Sequence, residues 1–506
     1  MKNKFDEMKR VIFAKVMVIL TAAVITAPCQ SPPQKENSET QPYRLEFTVK
    51  GWKDTTAYLA HYFGELTYLK DTAKVDNKGR FAFEGKGLPQ GVYIIVLNKS
   101  KIFDFVVGKT TKFSMETDTT NIIENMTVKG DEDNKMFFEN LVYNGKRHKE
   151  AEPFIKVLQD SLASLDKKKE ARAEYDKIGS GVMDYQKELV KKYPDLLTSR
   201  LLKSGQSVKI PDPPKLPNGK IDSSFQFRYY REHFFDNFDL TDDALIRTPT
   251  PEYRNKIHEY LDKLYLQIPD SVMKGVNKVI ALAKPNKETY KYATYVCLSH
   301  YQQPEFMGLD ATFVKIYDKY ISTGEMDYWL NKETKKGWKE FADKLRLAQV
   351  GKTAPDLMMQ DGKLQPKRLY DMKAKYVALL FFDHNCGHCR TEAPHLVEAY
   401  NRSHTLLNFD VFAVDIDTTL AKMREFEKEF KTPWVTVNGP RTYYKDHSSK
   451  LYQHDTTPFM YVIEMKTKKV IARKLPAEQL EDFLSRVQDI KLPFEAKKPD
   501  VKKSKQ

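Results

Sequence analysis

The sequence predicts a multidomain chain built from an N-terminal antiparallel β domain, a central α-helical domain and a C-terminal α/β domain. Three observations predict it. Apolar residues alternate with polar ones between residues 43 and 128, recur at helical spacing between 131 and 347, and gather between 348 and 490 into short apolar runs separated by helical stretches. At 506 residues the chain has room for about three domains of ordinary size. A composition that is 41% hydrophobic and 12% aromatic supplies their cores and excludes wholesale disorder.

Residues 1–29 read as a signal peptide. Lys2, Lys4, Lys9, Arg10 and Lys15 precede the apolar run Val16 to Ala27, which is too short to span a bilayer comfortably. The polar, proline-containing stretch from Gln30 suits a mature N-terminus, so the expected location is the cell envelope on its periplasmic side. Cys29 stands where a bacterial lipoprotein carries its lipidated cysteine; Thr26 and Ala27 fit loosely, whereas Pro28 occupies a position that favours small residues. A lipid on Cys29 is the one membrane attachment this reading allows.

The β domain, residues 43–128, rests on Tyr43, Leu45, Phe47 and Val49, and on Phe103, Phe105, Val107, Phe113 and Met115. Asp76-Asn-Lys-Gly79 and Asn98-Lys-Ser-Lys101 supply hairpin turn chemistry between strand-like runs. The helical domain, 131–347, rests on Phe154, Leu158, Leu162 and Leu165, and on Tyr253, Ile257, Tyr260, Leu261 and Leu264. Ile210 to Gly219 carries four prolines and must be a loop. The aromatic stretch Phe225 to Phe235 has the spacing of core helix. Between 348 and 490, the unbroken run Tyr376 to Phe382 suits a strand buried on both faces. Strands at 409–416, 459–463 and 470–473 alternate with helices at 396–406, 420–430 and 477–487.

The formal charge of +14 is partly terminal, since the basic tail 491–506 holds six lysines against Glu495 and Asp500. No element interleaves clustered basic residues with stacking aromatics, so no nucleic-acid partner is expected. The four cysteines are Cys29, Cys297, Cys386 and Cys389, too few for a disulfide-stapled scaffold. Cys297 sits in a helical pattern, where an unpaired cysteine is ordinarily a small buried hydrophobe.

The chemistry-bearing motif is Cys386-Gly-His-Cys389, just after the buried strand and at the start of the next helix. Unsatisfied backbone N–H groups and the positive end of the helix dipole lower the pKa of a thiol there, making Cys386 the expected nucleophile. Cys389 falls one turn on, within reach of a mixed disulfide on Cys386, and is the expected resolving thiol.

With Gly351-Lys-Thr-Ala-Pro355 and Leu379-Leu-Phe-Phe382, the run Cys386-Gly-His-Cys-Arg-Thr-Glu-Ala-Pro-His-Leu396 resembles the membrane-associated thioredoxins of the ResA/TlpA type. The resemblance covers roughly the last third of the chain and implies a thioredoxin-like fold over residues 348–490. It implies a thiol-disulfide oxidoreductase without cofactor, whose partners are disulfide-containing or dithiol client proteins and an upstream redox partner. It implies that Pro458 is a cis proline facing the dithiol, with Thr457 offering its backbone to the client, and that Glu392 manages protons for the dithiol. His388 makes the intervening dipeptide similar to that of protein disulfide isomerase, where a protonated imidazole can stabilise the thiolate. In one departure, Leu380 stands where ordinary thioredoxins carry a buried Asp. Asp383, His384 and His395 are expected at the surface. The two N-terminal regions resemble uncharacterised extensions of some Gram-negative members.

Competing readings fare less well. A structural zinc site needs a second ligand pair, and there is no other Cys-x-x-Cys. Covalent haem needs His at residue 390, which is Arg. A peroxiredoxin pattern wants Thr three residues before its cysteine, where Asp383 stands. A binding or scaffolding lipoprotein with an accessory redox domain is the alternative from a different class.

Overall fold

The computed structural model describes residues 41–97, 100–442 and 448–494. The expected signal peptide, Cys29 and the tail from residue 495 lie outside the described residues. No described helix is long and apolar enough to cross a membrane. The chain divides into two compact units, residues 1–264 with 278–293, and residues 265–277 with 294–506. The division runs through the helices Pro269–Ala283 and Lys287–His300.

In the first unit, β1 (Pro42–Lys50), β2 (Thr55–Phe63), β3 (Leu66–Val75), β4 (Arg80–Lys86), β5 (Gly91–Leu97), β6 (Ser100–Val107), β7 (Lys112–Asp118) and β8 (Thr127–Lys129) form two four-stranded sheets. Their orders are β4-β1-β7-β8 and β3-β2-β5-β6, and all pairs are antiparallel except β1 with β7. Alternation in β1 buries Tyr43, Leu45, Phe47 and Val49, the expected set, against Phe81, Phe83, Tyr93 and Phe105. The turn at Asp76–Gly79 does form: the Asp76 carboxylate accepts from the Lys78 and Arg80 amides, and Gly79 takes φ +78°. It is not a hairpin within one sheet, because β3 pairs with β2 and β4 with β1. The chain changes sheets at this turn, which sequence alternation alone does not reveal.

Helices follow. Asp131 caps the helix Glu132–Gln159, and Asn134, fully buried, exchanges hydrogen bonds with both backbone groups of Val106. The expected apolar face through Phe154, Leu158, Leu162 and Leu165 is broken. The chain turns after Asp160, Ser164 caps the next helix Leu165–Lys192, and Leu162 and Leu165 are exposed. Tyr253, Ile257, Tyr260, Leu261 and Leu264 are buried on one helix face, as their spacing predicts. The helix Phe225–His233 has no fully buried residue, so the expected aromatic core begins only at Phe234 and Phe238.

The second unit is centred on a seven-stranded sheet. Its strands are β9 (Met358–Asp361), β10 (Pro366–Arg368), β11 (Tyr376–Phe382), β12 (Phe409–Asp415), β13 (Val435–Thr442), β14 (Phe459–Glu464) and β15 (Lys469–Arg473), in the order β10-β9-β13-β12-β11-β14-β15. β11 lies between parallel β12 and antiparallel β14. Its unbroken apolar run serves both faces. Tyr376, Ala378 and Phe382 pack in one cluster with residues of the helices Gly387–Leu407 and Leu480–Gln488, while Val377, Leu379 and Phe381 pack in the other with Leu357, Tyr452 and Tyr461. Cys297 is fully buried, as expected. Arg473 on β15 forms a buried ion pair with Asp310 on the helix Asp310–Ile316, so within this unit a preceding helix is tied to the sheet through charge.

Candidate active site

β11 delivers the chain to the dithiol at the sheet's C-terminal edge. Asp383 turns it: its carbonyl accepts from the Cys386 amide at 3.0 Å and its carboxylate from the Asn385 amide at 2.7 Å. The helix Gly387–Leu407 then starts with Cys386 at its N-cap in extended conformation, φ −73° and ψ 122°. Cys386 is partly exposed, whereas Cys389, one turn in, is 3% exposed and packs with Phe382, Ala393, Leu396 and Met460. Both are thiols.

Their surroundings drive the two acidities apart. Burial alone would push the Cys386 thiol up, but hydrogen bonds from the Cys389 amide and thiol, the Thr457 side chain and the His388 amide outweigh it and hold Cys386 below the ordinary thiol value. Cys389 goes the other way. Burial pushes it up to about 12, with the neighbouring Cys386 sulfur adding to the effect against an opposing hydrogen bond from the Asp383 amide.

The Thr457–Pro458 peptide bond is cis, and the Cys386 thiol lies 3.4 Å from the Thr457 carbonyl oxygen, to which it donates. Pro458 and Thr457 are thus brought to the dithiol. His388 is exposed, and what it offers the Cys386 sulfur is its backbone N–H. Glu392 is half-buried, and its carboxylate accepts a 3.1 Å hydrogen bond from the Ala477 amide, at the turn that opens the helix Leu480–Gln488. His395 lies 3.8 Å from the Glu478 carboxylate.

One expectation is overturned. His384, two residues before Cys386, is not at the surface but 4% exposed, with Nδ1 2.8 Å from Oδ2 of the fully buried Asp415. Asp415 ends β12 beside Phe382 of β11, and its Oδ1 accepts from the Asp417 amide at 3.2 Å. Burial, the largest influence, holds Asp415 above the usual carboxylate range despite its bond to His384. Asp383, His384 and Asp415 each bring one ligand-type atom within 4.8 Å of the others; two of the three, His384 and Asp415, are hydrogen-bonded to each other. A carboxylate at the end of an apolar strand gave no sequence signal, because nothing local links residue 415 to 384.

The sequence pattern of the AhpC/TSA family matches residues 350–454. A domain of a possible thiol-disulfide isomerase from Cytophaga hutchinsonii, known as a crystal structure, is 31% identical; the match covers 28% of this chain and 93% of that one, with a TM-score of 0.26. The chain belongs to the thioredoxin-like thiol-disulfide oxidoreductases. The thiol-disulfide oxidoreductase ResA of Bacillus cereus is 28% identical over 151 residues, 29% of this oxidoreductase and 83% of that protein. A thioredoxin-like protein from Bacteroides caccae is 17% identical over 55% of this chain and 99% of that one, with a TM-score of 0.44. Ahead of the redox domain, two domains of unknown function, DUF4369 and DUF5106, match residues 43–137 and 181–344.

Proposed function

We propose that this oxidoreductase is an exported enzyme that exchanges disulfides with protein substrates through Cys386-Gly-His-Cys389. The observation that carries this reading is the opposition of the two thiols, Cys386 partly exposed and held low, Cys389 buried and held high. Reduction of a client then takes two displacements. The Cys386 thiolate attacks one client sulfur, forming a Cys386–client disulfide and releasing the other client sulfur as a thiolate that takes up a proton. Cys386 has now lost its negative charge, which eases ionisation of Cys389. The Cys389 thiolate attacks Cys386 Sγ, the intramolecular disulfide forms and the second client thiol leaves. Two electrons have passed from dithiol to client. The reverse sequence oxidises a client dithiol, and an upstream redox partner resets the enzyme.

In this reading the Thr457 backbone aligns the client beside Pro458, and His388 meets the client at the rim. We assign the Cys389 proton to Glu392, one turn further along the same helix. The basic and apolar N-terminus supports export, and Cys29 supports a lipid anchor on the periplasmic side. The test is trapping: Cys389→Ser accumulates client proteins disulfide-linked to Cys386, and Cys386→Ser neither traps nor turns over a peptide disulfide. Wild-type turnover by Cys386→Ser would overturn the reading. Loss of detergent partitioning in Cys29→Ser tests the anchor.

A further inference from the structure

We propose that His384 and Asp415 form a buried positioning pair that tunes the ionisation of Cys386 from behind the loop carrying it. This rests on the redox role of Cys386. The argument begins with the sheet. In β12, Phe409, Val411 and Ala413 pack in the cluster that holds Cys389, and the two-residue period puts Asp415 on that same face. A carboxylate there, without solvent, needs partners. It has the His384 imidazole at 2.8 Å and the Asp417 amide at 3.2 Å.

His384 is thereby fixed in the loop that leads into the dithiol. Asp383, the preceding residue, accepts from the Cys386 amide at 3.0 Å, and its own amide hydrogen-bonds to the Cys389 sulfur. The His384 carbonyl accepts from Arg390 at 3.3 Å, which ties the loop to the helix that bears both cysteines. Moving His384 therefore moves the backbone that holds the Cys386 amide and the donor to the Cys389 sulfur.

The pair also holds charge. With a neutral imidazole donating Nδ1–H to an ionised Asp415, one negative charge sits behind the loop and disfavours the Cys386 thiolate. Uptake of one proton by the pair removes that charge. Reactivity of Cys386 should then fall less steeply on acidification than a lone thiol's would. The other charged groups facing the pair are Asp383 on the loop, Asp417 beyond β12 and Arg390 on the helix, itself paired with Glu429. Asp417 is held below the usual carboxylate range, first by the Thr419 amide, and so stays ionised.

Two variants of the full chain separate these effects, each checked for fold by circular dichroism and profiled by the alkylation rate of reduced Cys386 between about pH 4 and pH 10. Asp415→Asn keeps the shape and removes the charge. Cys386 should then alkylate at least about threefold faster near pH 7, a change of roughly half a pKa unit. His384→Asn keeps a donor near the Nδ1 position and keeps the charge. Its alkaline midpoint should stay, while the acidic inflexion moves to lower pH. Profiles of either folded variant that superimpose on the wild type, or a slower Cys386 in Asp415→Asn, would overturn the pair's role. Turnover of a peptide disulfide by Cys386→Ser would instead sink the redox assignment itself, so the two failures are distinguishable.

Discussion

Reduced full-length enzyme treated with iodoacetamide should be labelled at Cys386 long before Cys389, and the margin can be worked from their surroundings. At pH 8 a thiol pushed up to about 12 is ionised to about one part in 10⁴, while one below the ordinary value of 9 is more than about a tenth ionised. That is a ratio of at least about 10³. Intrinsic nucleophilicity runs the other way: with a Brønsted slope of about 0.4–0.5, three pKa units favour the Cys389 thiolate by about 20–30-fold. Chemistry alone therefore leaves Cys386 ahead by a factor of about 30 or more, and burial of Cys389 widens the gap in the same direction. Quantifying each modified peptide by mass spectrometry gives the ratio, with fully buried Cys297, pushed up by burial, as the unreactive internal standard. The pH dependence supplies the sign. A lowered pKa means the Cys386 rate reaches half its maximum below about pH 9, whereas Cys389 keeps accelerating beyond pH 10. A ratio below about threefold in folded protein, or parallel pH profiles, would refute the assignment of nucleophile and resolver.

Asp310→Ala leaves Arg473 buried beside Phe459 and Tyr461 without its carboxylate; the expected loss is about 3–5 kcal/mol in denaturant unfolding of the second unit, and a loss under about 1 kcal/mol would contradict it. Residues 349–490 expressed alone should retain the order of cysteine reactivity; an inactive fragment beside an active full chain would show that the preceding helices complete the site, for which the Lys344–Asp455 ion pair, two residues before Thr457, offers a route. Glu392→Gln should slow resolution of a mixed disulfide and change its pH dependence while keeping an acceptor for the Ala477 amide; a profile that overlays the wild type would leave Glu392 only its structural bond.

What could be read from the sequence was whatever depends on short range. Alternation in β1 and the double-sided apolar run of β11 reflect single strands meeting water or core, and both are visible residue by residue. The dithiol was legible because its two cysteines share one turn. What escaped depends on chain segments far apart. β13 was missed because Asn438, Gly439 and Pro440 interrupt it, although β12 and β9 hold its backbone on either side. The sheet change at Asp76–Gly79 was hidden because a turn residue specifies a bend, not the partner strand. His384 looked like a surface residue because the carboxylate that makes its burial tolerable lies 31 positions away.

The division of labour between the cysteines follows from the phase of one helix. Cys386 and Cys389 are three residues apart, share a backbone environment rich in unpaired N–H groups, and would be near equivalents on an isolated peptide. The fold breaks the symmetry by rotation. Cys386, at the N-cap, lies outside the helical turn and meets the amides and Thr457. Cys389, inside the first turn, points toward the cluster that also holds Ala393 and Leu396, its partners at i+4 and i+7. The apolar stripe that glues the helix to the sheet therefore includes the resolving sulfur as one of its own residues. Keeping Cys389 neutral until Cys386 is spent is a consequence of that packing, so a change that loosens the stripe, even one distant from either sulfur, should erode the order in which the two thiols react.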